Sequence, residues 1–229
     1  MTVVTAETVV FTIRSGVLGV LLARQPGNRW ILPGGPLSDS SALEATAERT
    51  LREQAGVGGV ELEQLYTFER PGGICVAFMA LISAGRHALA PGDDLVEVRW
   101  FDHDDLPRLD GDTGDTVHFA RDRLRAKSAY APIAAQLLPG VFTLGQLQSV
   151  YEAVLATHLD PRNFRRDVLA AGIVEATGDL RADGRGRPAR MLRWVGGDFA
   201  VVPSERRGVR AISRLRASVQ VESGRGDTG

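Results

Sequence analysis

The chain has 229 residues, 44% of them hydrophobic and 24% charged, with a formal net charge of −1; this is ordinary globular composition with room for one large or two small domains, and two are expected. Its one cysteine, Cys75, excludes an internal disulfide framework and any multi-cysteine metal site. The N-terminal apolar stretch is interrupted by Glu7 and Arg14, and "VLGVLLA" falls far short of the ~18 residues a membrane span requires, so no export or insertion signal, no membrane partner and a cytoplasmic location are expected. The charge is sorted by region: residues 1–139 carry 13 Lys and Arg against 18 Asp and Glu, and residues 140–229 carry 14 against 10. A basic C-terminal part beside an acidic N-terminal part suggests phosphate contact on one side only. Because Lys127 is the only lysine, richness in arginine carries little weight and position must carry the argument.

In chain order, "VVTAETVVFTIR" and "VLGVLLARQ" are runs of strand formers joined at Ser15-Gly16, as in a hairpin. "LPGG" is a loop. Over residues 41–55 Leu43, Ala47 and Leu51 recur at helical spacing, and Gly56 follows as a stop. "VELEQLYTF", "ICVAFMALISAG" and "EVRWF" predict three more strands, with Cys75 a core residue of the second. "DTVHFARDRLRAK" predicts a helix with Asp115 at its N-cap. This order gives a mixed sheet flanked by helices. "LDGDTGD" lacks the spacing of a calcium loop and reads as negative charge at a helix start, and the four histidines show no metal-like pairing.

Residues 30–57 resemble the Nudix box, in which Gly, five residues, Glu and seven residues precede Arg-Glu-apolar-any-Glu-Glu-any-Gly-apolar. Gly35, Arg49, Leu51, Glu53, Gly56 and Val57 are in register, but Ser41, Thr50 and Gln54 stand where that pattern has glutamates. Mg²⁺ is a hard cation that a hydrolase holds with several carboxylates, and only Glu53 remains. At ~100° per residue Glu44 and Glu48 lie on the opposite side of the helix and cannot substitute. No catalytic residue, no metal site, no required cofactor and no appreciable Mg²⁺-dependent hydrolysis are expected. The box is then either a packing unit or a metal-free pocket, in which backbone N–H groups of "LPGG" and guanidinium forks hold phosphates. For the pocket, Arg24, Gly34, Gly35, Arg49, Glu53 and Arg70 are the candidate residues.

In the second half "YAPIAAQLL", residues 130–138, predicts a short helix and "VF" at 141–142 a short strand. Thr143 and Gln146 have capping-box spacing at the head of a helix whose apolar stripe is Leu144, Leu147, Val150, Tyr151, Val154 and Leu155. After "THL", Asp160 as N-cap and Pro161 open a second helix, closed by Gly172. Phe164, Val168 and Leu169 are expected inward, with Arg162, Asn163, Arg165 and Arg166 outward, the layout of a recognition helix. Solvated arginines explain that layout equally well until the next segment: "GIVEATG" and "RPARMLRWV" are strand-like and bracket the Gly- and Arg-rich tip "DLRADGRGRP", a wing placing Arg185, Arg187 and Arg190 against a minor groove or its phosphates. The candidate DNA-binding set is Thr143, Gln146, Arg162, Asn163, Arg165, Arg166, Arg185, Arg187 and Arg190.

With "LEQLYTF" and "FTLGQLQSVYEAVL" through "GRGRPARMLRW", the whole chain resembles the Nudix-related transcriptional regulators of NAD metabolism. The resemblance implies an α/β fold: an N-terminal Nudix-like α/β/α sandwich with a mixed sheet, then a C-terminal winged helix-turn-helix domain. It also implies a homodimer on a palindromic double-stranded operator, repressing genes of NAD synthesis or salvage and released by a small nucleotide effector, ADP-ribose or another NAD-related nucleotide. One departure stands out: the Arg- and Pro-rich loop such proteins carry after "TF" is shortened here to "ERPGG", leaving Arg70. The expected limits are 1–128 for the sensor, 129–220 for the winged helix with a basic amphipathic helix over 204–220, and 221–229 for a disordered tail. Two rival readings are a Nudix hydrolase of nucleoside diphosphate derivatives with an unusual metal site, and a winged helix that binds protein.

Overall fold

A computed structural model describes residues 2–37, 42–109, 111–128, 132–182 and 188–196. Ser41, the wing-tip residues Arg185 and Arg187, the helix expected over 204–220 and the tail lie outside the described residues.

The first strand, β1 (Val3–Arg14), is the centre of the sheet. It turns into β2 (Val17–Gln25) through Ser15 and Gly16, both at positive φ (50° and 80°), the type I′ geometry whose twist matches that of the strands it joins. Arg14 faces Val17 across that hairpin. Then come β3 (Arg29–Ile31), β4 (Gly34–Pro36), helix α1 (Leu43–Ala55), β5 (Leu62–Arg70), β6 (Gly73–Leu81), β7 (Glu97–Asp102) and helix α2 (Asp112–Ser128). The sheet runs β3-β2-β1-β6-β5, with β4 on β1 and β7 on β2. The β1–β6 pair is parallel and the rest antiparallel, so the sheet is mixed as expected.

Alternation along β1 decides which helix covers which face. Val9 and Phe11 share a core with Leu18, Val20, Leu22, Met79 and Leu81, sealed by Val117, Ala120 and Leu124 of α2. Val10 faces the other way, with Leu21, Ala23, Ala80 and Ile82, against Leu51 and Ala55 of α1. Cys75 is fully buried in β6.

Four expectations shift. Helix α2 starts at Asp112, so Asp115 lies within its first turn instead of capping it; the reversal at Gly111 (φ 51°) ends the preceding loop three residues earlier, and both acids then sit where the helix dipole favours them. Residues 130–138 form no α-helix; Pro132–Leu137 is a 3₁₀ turn. Its buried residues Ala134 and Leu137 are three apart, the spacing that stacks in a threefold helix. Third, two of the histidines meet, the rings of His103 and His118 lying 5.4 Å apart, and no cluster of three or more metal-ligating side chains occurs among the described residues. Last, Leu169 points outward, 51% exposed, while Ile173 beyond the helix end is fully buried in its place.

The second half is β8 (Val141–Thr143), α3 (Leu144–Leu155), α4 (Pro161–Ala171), β9 (Val174–Arg181) and β10 (Ala189–Trp194), with a sheet ordered β8-β10-β9. Phe142, Leu147, Val150, Tyr151, Val154, Phe164, Val168, Ile173 and Leu192 form its core. That core continues without a break into the one beneath α2, because α3 packs on α2, on β2 and on the 3₁₀ turn. Among the described residues no helix is long and apolar enough to cross a membrane.

His103 couples this packing to pH. The ring is buried, and burial, together with Arg121 and His118, holds its pKa below 6.5 despite a 3.2 Å contact with the Asp104 carboxylate, which pulls the other way. The unfolded chain therefore takes up this proton at higher pH than the folded chain. Stability from neutral His103 is complete above ~6.5 and is lost as pH falls through the lowered folded value. Urea midpoints are expected to drop as pH falls below about 6.5, and to drop less in His103→Asn.

Candidate nucleic-acid interface and ligand site

Helix α4 begins where Asp160 accepts the Asn163 backbone N–H at 2.8 Å and Pro161 fills the first position; it ends at Gly172, with φ 64°. The approach is braced: Gln148 donates to the Leu159 carbonyl (3.0 Å) and to Glu152, whose carboxylate accepts the Leu159 N–H at 2.9 Å. With Phe164 and Val168 buried against α3, the opposite face is committed to solvent, and Arg162, Arg165 and Arg166 are exposed on it with Asn163 half-buried beside them. Arg166 is held by Asp167 through two nitrogens, at 2.9 and 2.8 Å. Arg162 and Arg165 form no ion pair among the described residues, so both forks are available to an outside acceptor.

Behind this helix β9 and β10 form an antiparallel ribbon, Ala189 opposite Arg181, with Arg190 exposed on it. Arg193 is paired with Glu175 across the ribbon. Thr143 and Gln146 have another task. The Thr143 hydroxyl accepts the Gln146 N–H at 3.2 Å and the Gln146 amide oxygen accepts the Thr143 N–H at 2.8 Å, a closed capping box with Thr143 buried. Their side chains close the start of α3 on each other, with Gln146 half-buried.

The box loop is built differently from its expectation. Gly34 lies so close to β1 that a Cβ would sit 2.5 Å from the Ala6 carbonyl oxygen; only glycine fits. Gln54 then clamps that glycine with both ends of its amide, the oxygen accepting the Gly34 N–H at 2.9 Å and the nitrogen donating to the Gly34 carbonyl at 2.8 Å. Sequence reasoning counted Gln54 only as a missing acid. A carboxylate there cannot donate to the carbonyl, so Gln54→Glu is expected to lower stability by about 1–2 kcal/mol in urea melts, even though it moves the box toward the hydrolase pattern.

Among the described residues the box positions do not supply a donor set for Mg²⁺. Thr50 is buried with its hydroxyl donating to the Ala47 carbonyl, Gln54 is spent on Gly34, and Glu53 stands on the surface paired with Arg49 at 2.9 Å. One carboxylate cannot replace the several that a hard cation needs.

The two arginines expected to hold phosphate are not free. Arg24 pairs with Glu97 at 2.8 Å, donates to Asn28 and lies over the Trp30 ring. Arg70 uses all three guanidinium nitrogens: Nη1 and Nη2 meet the two oxygens of Glu7 at 3.0 and 3.1 Å, and Nε meets Asp112 at 3.1 Å. Its Cζ lies over the Phe68 ring, 4.8 Å from the ring centroid. Burial pulls its pKa down, but attraction to Glu7 and Cys75 together with the hydrogen bonds to Glu7 and Asp112 more than offsets it and leaves the pKa raised. Because Glu7 is opposite Gly34 in the β1–β4 register, Arg70, Glu7, Gly34 and Gln54 form one connected array. Arg24 shares none of these partners. The signal for Glu7 was present in the sequence, as the one acid inside an apolar strand.

Residues 4–121 match the NUDIX domain, and residues 134–193 match the NrtR DNA-binding winged helix domain. The ADPR responsive transcriptional repressor NtrR of Acinetobacter baylyi is 29% identical over 211 residues, spanning 85% of this chain and 83% of that protein. Shewanella oneidensis NrtR complexed with a 27mer DNA superposes with a TM-score of 0.74 at 30% identity, over 83% of this chain and 93% of that one. The same protein solved without that DNA gives 0.72 at 31%. A MutT/nudix family protein from Enterococcus faecalis, at 23% identity and a TM-score of 0.69, has the same fold. With both domain matches in the order the strands and helices require, the chain belongs to the NrtR family, in which a NUDIX domain is joined to a DNA-binding winged helix.

Proposed function

We propose that this chain is a DNA-binding transcriptional repressor whose NUDIX domain binds an NAD-derived nucleotide, ADP-ribose first among them, without hydrolysing it. The observation that carries the reading is the solvent face of α4, where Arg162 and Arg165 stand unpaired among the described residues on a helix otherwise locked in place. Arg162, Asn163 and Arg165 contact base edges. Arg166, Arg190 and the wing-tip Arg185 and Arg187 contact phosphates or the minor groove. Two copies act as a homodimer on a palindrome, each α4 in a major groove, in the cytoplasm where such DNA is found.

In the NUDIX domain Gly34, Gly35 and Arg70 are assigned to the diphosphate, and Arg24, Arg49 and Glu53 complete the candidate set. The spending of Gln54 and Thr50 on structure supports a site that binds and does not cut. The relatives named above support DNA and ADP-ribose as the two ligands. Because both bind one protein, the ligand must weaken DNA binding by the same factor by which DNA weakens ligand binding.

The test is fluorescence anisotropy on DNA upstream of this gene and of NAD-synthesis genes, across salt, with ADP-ribose, NAD and nicotinate ribonucleotide titrated in. Tight sequence-specific binding with a steep salt slope, released by ADP-ribose, is the expected result. Weak binding indifferent to sequence, or turnover of ADP-ribose with Mg²⁺, overturns it.

A further inference from the structure

The ion pair between Arg70 and Asp112 joins two parts of the protein with different tasks. Arg70 closes the sheet edge beside a hollow of about 360 Å³ lined by Val3, Thr5, Pro71, Gly72 and Ile74. Asp112 is the first residue of α2, a helix of 17 residues and thus a rod about 25 Å long. Farther along that rod Val117, Ala120 and Leu124 share a core with Leu147, Val150 and Tyr151 of α3, against which α4 packs through Phe164 and Val168. The start of α2 also carries the buried Thr113 and Thr116, the latter hydrogen-bonded to Tyr66 at 3.1 Å.

Three of the five guanidinium N–H groups of Arg70 are taken, so an anion that grips its Nε edge with two oxygens competes there with Asp112, and the two carboxylates on Arg70 are unequal. Glu7 is 8% exposed and gripped at both oxygens; stripping it would leave a buried charge without a partner, which is strongly unfavourable. Asp112 is 46% exposed and gripped at one oxygen, so water can take over its hydration when it leaves. The exchange therefore runs in one direction: Asp112 gives way and Glu7 stays.

We infer that Asp112 is a built-in competitor for the effector's phosphate, and that its displacement from Nε of Arg70 frees the first turn of α2 and passes the ligand signal through α3 to α4. This rests on the reading of Arg70 as a phosphate ligand and assigns the regulation of that site to one ion pair. Asp112 acts as a positioning residue and touches neither ligand nor DNA.

The experiment uses the full chain, ADP-ribose as the probe and the duplex that wild type binds most tightly. DNA affinity is measured with and without saturating ADP-ribose, and ADP-ribose affinity is measured without DNA, for wild type, Asp112→Asn, Asp112→Ser and Asp115→Asn. Asp115 lies in the same first turn and is not a partner of Arg70, so its variant controls for lost charge at the helix start. In both Asp112 variants ADP-ribose is expected to bind about three- to tenfold tighter, and the factor by which it weakens DNA binding is expected to shrink by about as much. Asp115→Asn should match wild type. Thermal melts establish that each variant is folded, and the serine variant serves if the asparagine variant is not. Asp112 variants that keep both wild-type values overturn the exchange while leaving the effector reading intact. A wild-type chain whose DNA affinity ignores ADP-ribose overturns the effector reading, and the exchange with it.

Discussion

Arg162→Ala is expected to weaken binding to the specific duplex by about 1–3 kcal/mol, roughly 5- to 150-fold, and to relax the preference for one base pair. The helix start is what makes the effect clean. Asp160 and Pro161 set the first turn of α4 independently of the arginine side chain, and Arg162 is exposed without an ion pair among the described residues. Removing it thus leaves the fold untouched and deletes only contacts to DNA. Arg166→Ala should behave differently: its guanidinium is shared with Asp167, so it suits a phosphate contact, and its loss should lower affinity for all sequences about equally and flatten the salt slope by about one ion. Anisotropy titrations on the specific and a scrambled duplex at several salt concentrations separate the two outcomes. Equal losses on both duplexes for Arg162→Ala would sink the assignment of that residue to base reading.

The second large effect is on stability. Arg70→Met is expected to cost about 2–4 kcal/mol, because Glu7 remains buried with its only ion-pair partner among the described residues removed; the value is set below that of a fully buried pair because Arg70 itself is partly exposed. Adding Glu7→Gln should restore most of the loss, since a neutral amide tolerates the same site far better than a carboxylate. Urea melts of the two single variants and the double variant form a cycle, and simple additivity would show that the two side chains do not interact. The same result bears on the short "ERPGG" turn. With no neighbouring basic loop residues to share the task, one guanidinium both neutralises Glu7 and borders the hollow at the sheet edge, so under the proposed phosphate role binding and stability would be tied at this position.

Much of this was legible in the residues. The type I′ hairpin follows from Ser15-Gly16, since strands of that length need a turn with left-handed backbone. Asp160, Pro161 and Gly172 mark the ends of α4 through local hydrogen bonds and backbone preference alone, and so does the Thr143–Gln146 box for α3. Local chemistry of this kind survives any tertiary context. The period of apolar residues then placed Phe164 and Val168 inward, and by exclusion the arginines outward. It failed at Leu169, one residue beyond that stripe, because the width of the buried face depends on what packs against it.

What the sequence by itself determined was most of the longer strands and helices, the loss of the box glutamates at Ser41, Thr50 and Gln54, and the polarity of α4, all of which rest on residue type and local spacing. The tertiary structure alone decided how the remaining groups are spent. Glu7, Arg70 and Asp112 are 63 and 42 positions apart, and Gln54 is 20 from Gly34. Charges and amides act over a few ångströms, and no spacing rule says which distant carboxylate the fold will bring there. Arg70 and Arg24, alike as forks in the sequence, became an anchor shared with Glu7 and Asp112 in one case and a half-buried partner of Glu97 in the other, because the fold brings two carboxylates to the end of β5 and only one to Arg24 on β2.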